Sequence, residues 1–405
     1  MKILNKSTLL FAFCLMLVAN FTTSCSEDDM PGAVTDVGNP EIFFIRSTEP
    51  TAADSLLTGA FMGGLIAIVG QDLQHTVEIW FNDQPASLNP AYITSETILV
   101  NVPSSVPVEV NDKMRLVFAN GQELLYDFKI NVPSPIVTKI KSEYVATGDM
   151  AILTGDFFFE PVTVTFSGGV EAQIASLDKT QLAVIVPEGV EPGPISISTN
   201  FGVAVSDFLF RDDRNVALNY DDRVSRSWNS PIGTDLANGG FAPCDNGYTY
   251  FKMQGVGAWQ WVNELNMFYD AADAETGRGN IPIFPSTASV NDWGLRFEIN
   301  VAFDWREIPL EIFFGDFASG PANCGRDVPE PMVRWSPWEA NGLFVTDGWE
   351  TVTIPLTAFN IDKDGNPAEL DDLSPYTNMG IMFFGDASST HDVNMAIDNV
   401  RVVKL

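Results

Sequence analysis

Trp335 and Trp338 stand three residues apart, flanked by Arg334 and Glu339, with Pro337 between them. No other stretch of the chain spaces its side chains so suggestively for binding. Proline pushes the preceding residue, Ser336, toward an extended or polyproline-II backbone. In polyproline II, positions three apart project from the same side, roughly 9 Å from each other. The spacing predicts two indoles forming one open platform, edged by a cation and an anion. The competing reading puts one or both rings in a β-sandwich core, where large aromatics usually go. Trp259 and Trp261 form a second pair, with Asn263 beside it. On a strand they would share a face at roughly 6.6 Å, either as a further subsite or as a buried pair. Trp305, set between Asp304 and Arg306, is a third candidate.

Other chemistries find less support. The chain holds two histidines, His75 and His391, far apart in sequence. A His-based triad or a His-rich metal centre is hard to assemble from them. Carboxylates are abundant, but glycosidases need two at a defined separation, and no such pair is marked in the sequence. Asp362, Asp364 and Asn366 resemble the start of a calcium loop, yet Leu373 occupies the twelfth position where an EF-hand needs Glu. A turn between strands is expected there. No Gly-rich phosphate loop runs from a strand into a helix. The net charge of −31, with no Lys/Arg cluster, excludes nucleic acid and disfavours anionic polysaccharide.

The start of the chain carries a targeting signal. Lys2 and Lys6 precede an apolar run over residues 9–18, too short for a permanent membrane helix and laid out as an export leader. Small residues lead into Cys25, as in bacterial lipoprotein signals, and Ser26, Glu27, Asp28 and Asp29 follow. The expected order is a signal peptide over 1–24, a lipid-bearing Cys25 and an acidic tether over 25–37. Cys244 and Cys324 then remain in the folded part. In an oxidising setting they could form one disulfide, or stay as two buried thiols.

Beyond the tether an internal repeat sets the architecture. Leu65 to Gly70, Val77 to Phe81 and Thr97 to Pro103 recur as Met150 to Gly155, Val162 to Phe166 and Gln181 to Pro187, at an offset of about 85 residues. Each unit reads as short alternating strands punctuated by Gly and Pro. The expected units span 38–132 and 133–212, joined at Pro133 and Pro135. After Arg214 the composition shifts. Eight of the nine tryptophans lie there, at 228, 259, 261, 293, 305, 335, 338 and 349, against Trp80 in the repeats. Strand patterns continue without an amphipathic helix, so residues 213–405 read as a larger all-β domain, most simply a jelly-roll sandwich. Trp293 and Trp349 fall in strand phrases and belong to its core, while Trp228 stays open.

The repeat units resemble immunoglobulin-like IPT/TIG domains. The phrases at 216–222, 348–359 and 397–402 resemble strands of galactose-binding-like jelly rolls used as carbohydrate-binding modules. The acidic stretch after Cys25 resembles the export tag of surface lipoproteins in Bacteroidetes. Together these features resemble a surface glycan-binding lipoprotein of a polysaccharide-utilisation system, of the kind found in xyloglucan loci.

That resemblance implies a non-catalytic protein on the outer face of the outer membrane, held by its lipid alone. It implies two IPT/TIG spacers and a C-terminal domain that captures a neutral polysaccharide, a β-glucan such as xyloglucan. Partners would be a TonB-dependent transporter and its SusD-like protein. No cofactor is expected, although a jelly roll leaves room for a structural calcium at residues the sequence does not mark. The chemistry suits the role: a rigid indole covers the apolar face of a sugar ring, and edge groups bond its hydroxyls. Trp335, Trp338, Trp305, Trp259 and Trp261 are the stacking candidates, with Arg334, Glu339 and Asn263 as edge groups. The rival functions are a protein-binding adhesin and a glycoside hydrolase or lyase.

Overall fold

The structure is a computed structural model, and it describes residues 36–52, 54–222, 231–256, 262–266, 282–315, 331–383 and 390–405. Among these residues the regular structure is β-strand with short 3-10 turns, so the all-β expectation holds. The leader, Cys25, Cys324, Trp228, Trp259 and Trp261 lie outside the described residues. The chain divides into two compact units, Met1–Val132 and Pro133–Leu405.

The first unit is one small sandwich. A three-stranded sheet orders Glu41–Ser47, Leu65–Gln71 and Thr97–Asn101, and a four-stranded sheet orders Gln84–Pro85, Thr76–Phe81, Lys113–Phe118 and Glu123–Asp127. Alternation along these strands sends Ile66, Ile68, Ile79, Phe81, Met114 and Leu116 inward to a common core. Trp80 faces the other way, half-buried, with its indole N–H donating to Glu78 and Arg115 over its ring.

The second unit opens with a sandwich of the same plan. Ile136–Ile140, Met150–Asp156, Gln181–Ile185 and Gln173–Asp178 form one sheet, and Val170–Glu171, Val162–Phe166, Ser196–Thr199 and Gly202–Val205 the other. The repeated glycine has a steric cause. A Cβ on Gly70 would lie 2.0 Å from the Glu41 carbonyl oxygen, and one on Gly155 1.8 Å from that of Ile136. Both sit where the first strand bulges against its neighbour, and a backbone that close leaves no room for a side chain.

The larger sandwich follows. Its strands are β1 (Val216–Leu218), β2 (Ile232–Gly233), β3 (Tyr248–Val256), β4 (Val262–Asn266), β5 (Trp293–Val301), β6 (Leu310–Gly315), β7 (Met332–Trp335), β8 (Glu350–Pro355), β9 (Asn378–Phe383) and β10 (His391–Lys404). One sheet runs β2-β3-β10-β5-β8 with β1 also on β10, and the other runs β4-β9-β6-β7. Leu295, Phe297 and Ile299 of β5 and Met395 and Ile397 of β10 meet Leu310, Ile312, Ile381 and Phe383 of the second sheet in one core. Trp293 joins that core. Trp349 is only half-buried, packed on Tyr248, and its indole N–H donates to the Ala242 carbonyl. Residues 362–366 make the expected turn, with Asp362 Oδ1 accepting the N–H groups of Asp364 and Asn366.

The two sandwiches of the second unit share a buried ionic junction. Arg401 on β10 is fully buried, and its Nη2 donates to Glu143 Oε2 at 2.5 Å and to Glu298 Oε1 at 2.9 Å. Arg296 Nη1 donates to the other Glu143 oxygen at 2.6 Å, and Ser142 Oγ lies 2.8 Å from Glu298 Oε2. Residues 141–143 run along the edge strand β8: Thr351 N–H donates to the Lys141 carbonyl and Glu143 N–H to Thr351 Oγ1. Burial pulls the Arg401 guanidinium down, and the charges of Glu298 and Glu143 more than restore it. Burial likewise pushes the Glu143 carboxyl up, against the pull of Arg401 and Arg296.

Candidate functional site

Trp305 is the hub from which the candidate site is built. It follows β5 in a segment that bridges Phe344: Trp305 N–H donates to the Phe344 carbonyl and Phe344 N–H returns the bond, both at 2.9 Å. Its indole N–H donates to the Ile308 carbonyl at 2.7 Å, and the residue is 1% exposed. Trp305 is therefore not a stacking surface, which corrects the expectation drawn from its charged neighbours. The core took the ring, while Asp304 and Arg306 on either side remained exposed.

Trp335 and Trp338 both rest on that buried indole. Their ring centroids stand 5.5 and 5.0 Å from Trp305, edge to face, and Trp335 also meets Phe344 at 5.7 Å and Phe297 at 5.5 Å. Each is half-buried against the core. The backbone between them departs from the expected polyproline-II run. Trp335 ends β7 opposite Leu310, Ser336 turns at φ −125° and ψ 66°, and Pro337–Ala340 is a 3-10 turn. Proline favours the first position of such a turn because its fixed φ suits it and no N–H is lost. The two indoles are gathered by the third beneath them, not by an extended helix.

The edge groups divide. Glu339 is exposed beside Trp338, as the platform requires. Arg334 is not available in the same way. Neighbouring residues on a strand point to opposite faces, and Arg334 lies across from Trp335. There its Nε donates to the buried Glu311 carboxylate at 2.8 Å and its Nη2 to the Lys363 carbonyl at 2.9 Å. It pins the 362–366 turn to the outer side of the sheet, so the expected cationic edge is corrected. Asn263 lies within β4, a strand of this same sheet.

Exposed apolar side chains also stand on the two segments that Trp305 and Phe344 bridge. Phe303, Leu343 and Val345, on the two bridged segments, are 42%, 37% and 47% exposed. Asp304, Arg306 and Asn341 are exposed on the same segments and offer hydrogen-bonding edges. The apolar run from Leu343 to Val345 directly after Gly342 was the available signal. Leu343 and Val345 flank Phe344, whose ring packs on Trp305 and Trp335, so alternation turns them away from the indole pair. Aromatic rings with polar edges can cover a sugar face and bond its rim.

A second group, on the outer face of β10, brings Cys244, Asp245 and Asp398 within 4.8 Å of one another. Cys244 carries a free, buried thiol, and its Sγ lies 3.3 Å from Asp398 Oδ2, which also accepts from the Asn399 amide. Burial pushes the Asp398 carboxyl well up, and the Asp245 charge adds to the push. Burial likewise raises the thiol. The Cys244, Asp398 and Asn399 side chains are joined by hydrogen bonds within the buried group.

Residues 210–404 match the family model described as the surface glycan-binding protein B xyloglucan binding domain. A protein of Bacteroides ovatus described as an IPT/TIG domain-containing protein is 22% identical, over 94% of this chain and 94% of its own. Among solved structures, the surface glycan-binding protein PbSGBP-B of Prevotella bryantii superposes with a TM-score of 0.64 at 24% identity, covering 91% of this chain and 99% of that one. SGBP-B from a complex xyloglucan utilization locus in Bacteroides uniformis gives 0.50 at 17% identity, covering 91% and 100%. The fold and the family resemblance read from the sequence are borne out.

Proposed function

We propose that this protein, a relative of the SGBP-B surface glycan-binding proteins, captures a neutral polysaccharide at Trp335 and Trp338, with Glu339 at their edge. Xyloglucan is the ligand class named for the matched domain and the first glycan to test. The observation that carries the reading is the half-buried indole pair held edge to face on the buried Trp305, inside the domain that the family model covers. A pre-positioned aromatic surface binds without first ordering its own side chains, which keeps the entropic cost of association low. The strongly acidic chain disfavours uronic-acid polymers.

The same reading makes the protein non-catalytic, since the matched family is one of binding proteins. It also places the protein at the cell surface, lipid-anchored at Cys25, with residues 38–132 and 133–212 as spacers that present the glycan to a TonB-dependent transporter and its SusD-like partner. Affinity electrophoresis against neutral and anionic polysaccharides tests the core of it. Retardation by xyloglucan or another neutral β-glucan, without release of reducing ends, is the expected result. Unretarded migration in every neutral glycan, or retardation only in a uronate polymer, would overturn it.

A further inference from the structure

The large sandwich has a cleft at the end of β5 away from Trp335 and Trp338. This cleft, of about 680 Å³, lies between residues 282–291, which lead into β5, and residues 356–374, which follow β8. The β5 strand begins beside this cleft at Trp293 and ends at Val301, next to the Phe303–Trp305 segment. At about 3.3 Å per residue the two ends stand roughly 26 Å apart.

The floor of the cleft is apolar and buried: Phe284, Leu356, Phe359, Leu370 and Leu373 are each under 9% exposed. The rim is a mixture of neutral hydroxyls and amides, from Ser286, Ser289, Asn291, Thr357, Asn360 and Ser374, and the carboxylates of Glu369, Asp371 and Asp372. Among the described residues, Lys, Arg and His are absent from its lining. Volume, apolar floor and polar rim are those of a small-molecule site.

The chemistry of the rim selects the ligand. With three carboxylates and no cation among its described residues, the rim repels phosphates and uronates. Its neutral groups outnumber the acidic ones, which suits a polyhydroxylated neutral ligand better than a basic peptide. Carboxylates accept strong hydrogen bonds from hydroxyl groups. The two phenylalanines are nearly covered, so the cleft offers no open ring face and must bind more weakly than the indole pair.

We infer that this cleft is a second subsite for a neutral saccharide, so that one domain grips a polymer at both ends; the inference rests on the glycan-binding reading above. Two weak sites on one body raise retention of a long chain without raising affinity for a short one.

The test is an NMR titration of the full-length protein with a soluble xyloglucan oligosaccharide, following the Trp338 indole N–H and the methyl groups of Leu370 and Leu373. Both sets are expected to shift, the methyls at concentrations about tenfold higher because no indole face lies in the cleft. Ala368→Trp, which fills the cleft, should abolish the methyl response and leave the indole response unchanged. Trp338→Ala should leave the methyl response in place. Methyls that never shift in a protein whose Trp338 titrates overturn the second site alone. A protein in which neither responds overturns both readings. Methyls that respond to a Lys/Leu peptide but not to the saccharide also overturn the inference.

Discussion

Arg401→Met should cost the second unit about 3–5 kcal/mol, because it leaves buried carboxylates without their cation. Arg401 is fully buried, as is Glu298, and Glu143 is 3% exposed. The guanidinium bonds both carboxylates, donates through Nη1 to the Asn399 carbonyl at 2.6 Å and lies 5.0 Å from the Tyr144 ring centroid. Without it Glu143 keeps Arg296, while Glu298 loses its Arg401 partner and keeps hydroxyl contacts to Ser142 and Thr351. Against a total stability of about 5–15 kcal/mol for an ordinary domain, such a loss is large. Urea unfolding followed by tryptophan fluorescence gives the difference directly. A triple replacement of Glu143, Glu298 and Arg401 by apolar residues of similar volume should be far milder than Arg401→Met alone, since it removes the desolvated charges together. A loss below about 1 kcal/mol for Arg401→Met would refute the reasoning, because it would mean the carboxylates find water where the structure buries them.

Two further outcomes are expected. The native Asp398 carboxyl holds a proton that the unfolded chain releases above about 3.9, so stability should fall as pH rises from that range through the raised native value. Asp398→Asn should flatten this slope in thermal melts taken across pH 4 to 8, and an unchanged slope would contradict the assignment. Trp305→Phe removes the bond to Ile308 and thins the support under Trp335 and Trp338. It should weaken glycan binding about tenfold, some 1.4 kcal/mol, with the far-ultraviolet dichroism of the fold retained; full affinity would show that the platform does not need its base.

Strand periodicity, the Gly and Pro punctuation and the repeat made the three sandwiches legible, because each is a local pattern with a steric cause, as Gly70 and Gly155 show. The crowding of tryptophans after Arg214 marked the binding domain. Local geometry misled where one residue type serves two conformations: Pro337 opens a 3-10 turn as readily as it favours polyproline II. Arg334 was legible and was misplaced, since strand alternation already puts it across from Trp335. Trp305 showed its charged neighbours but not the depth of the core behind it. The junction of Glu143 with Arg296, Glu298 and Arg401 joins residues more than 150 positions apart, and no local signal announces it.

That junction also fixes what should be measured. A fragment starting at residue 213 would strip Glu143 from Arg401 and uncover the edge of β8, so the binding domain is best studied with residues 133–212 attached. The central claim, that the indole pair is the glycan surface, is tested by calorimetry of a xyloglucan oligosaccharide with the intact protein and with Trp338→Ala. Loss of the ring's burial against sugar is worth about 2 kcal/mol, or roughly a thirtyfold fall in affinity. That fall, with unchanged melting, is the predicted result. Equal affinity in the two proteins would contradict the account.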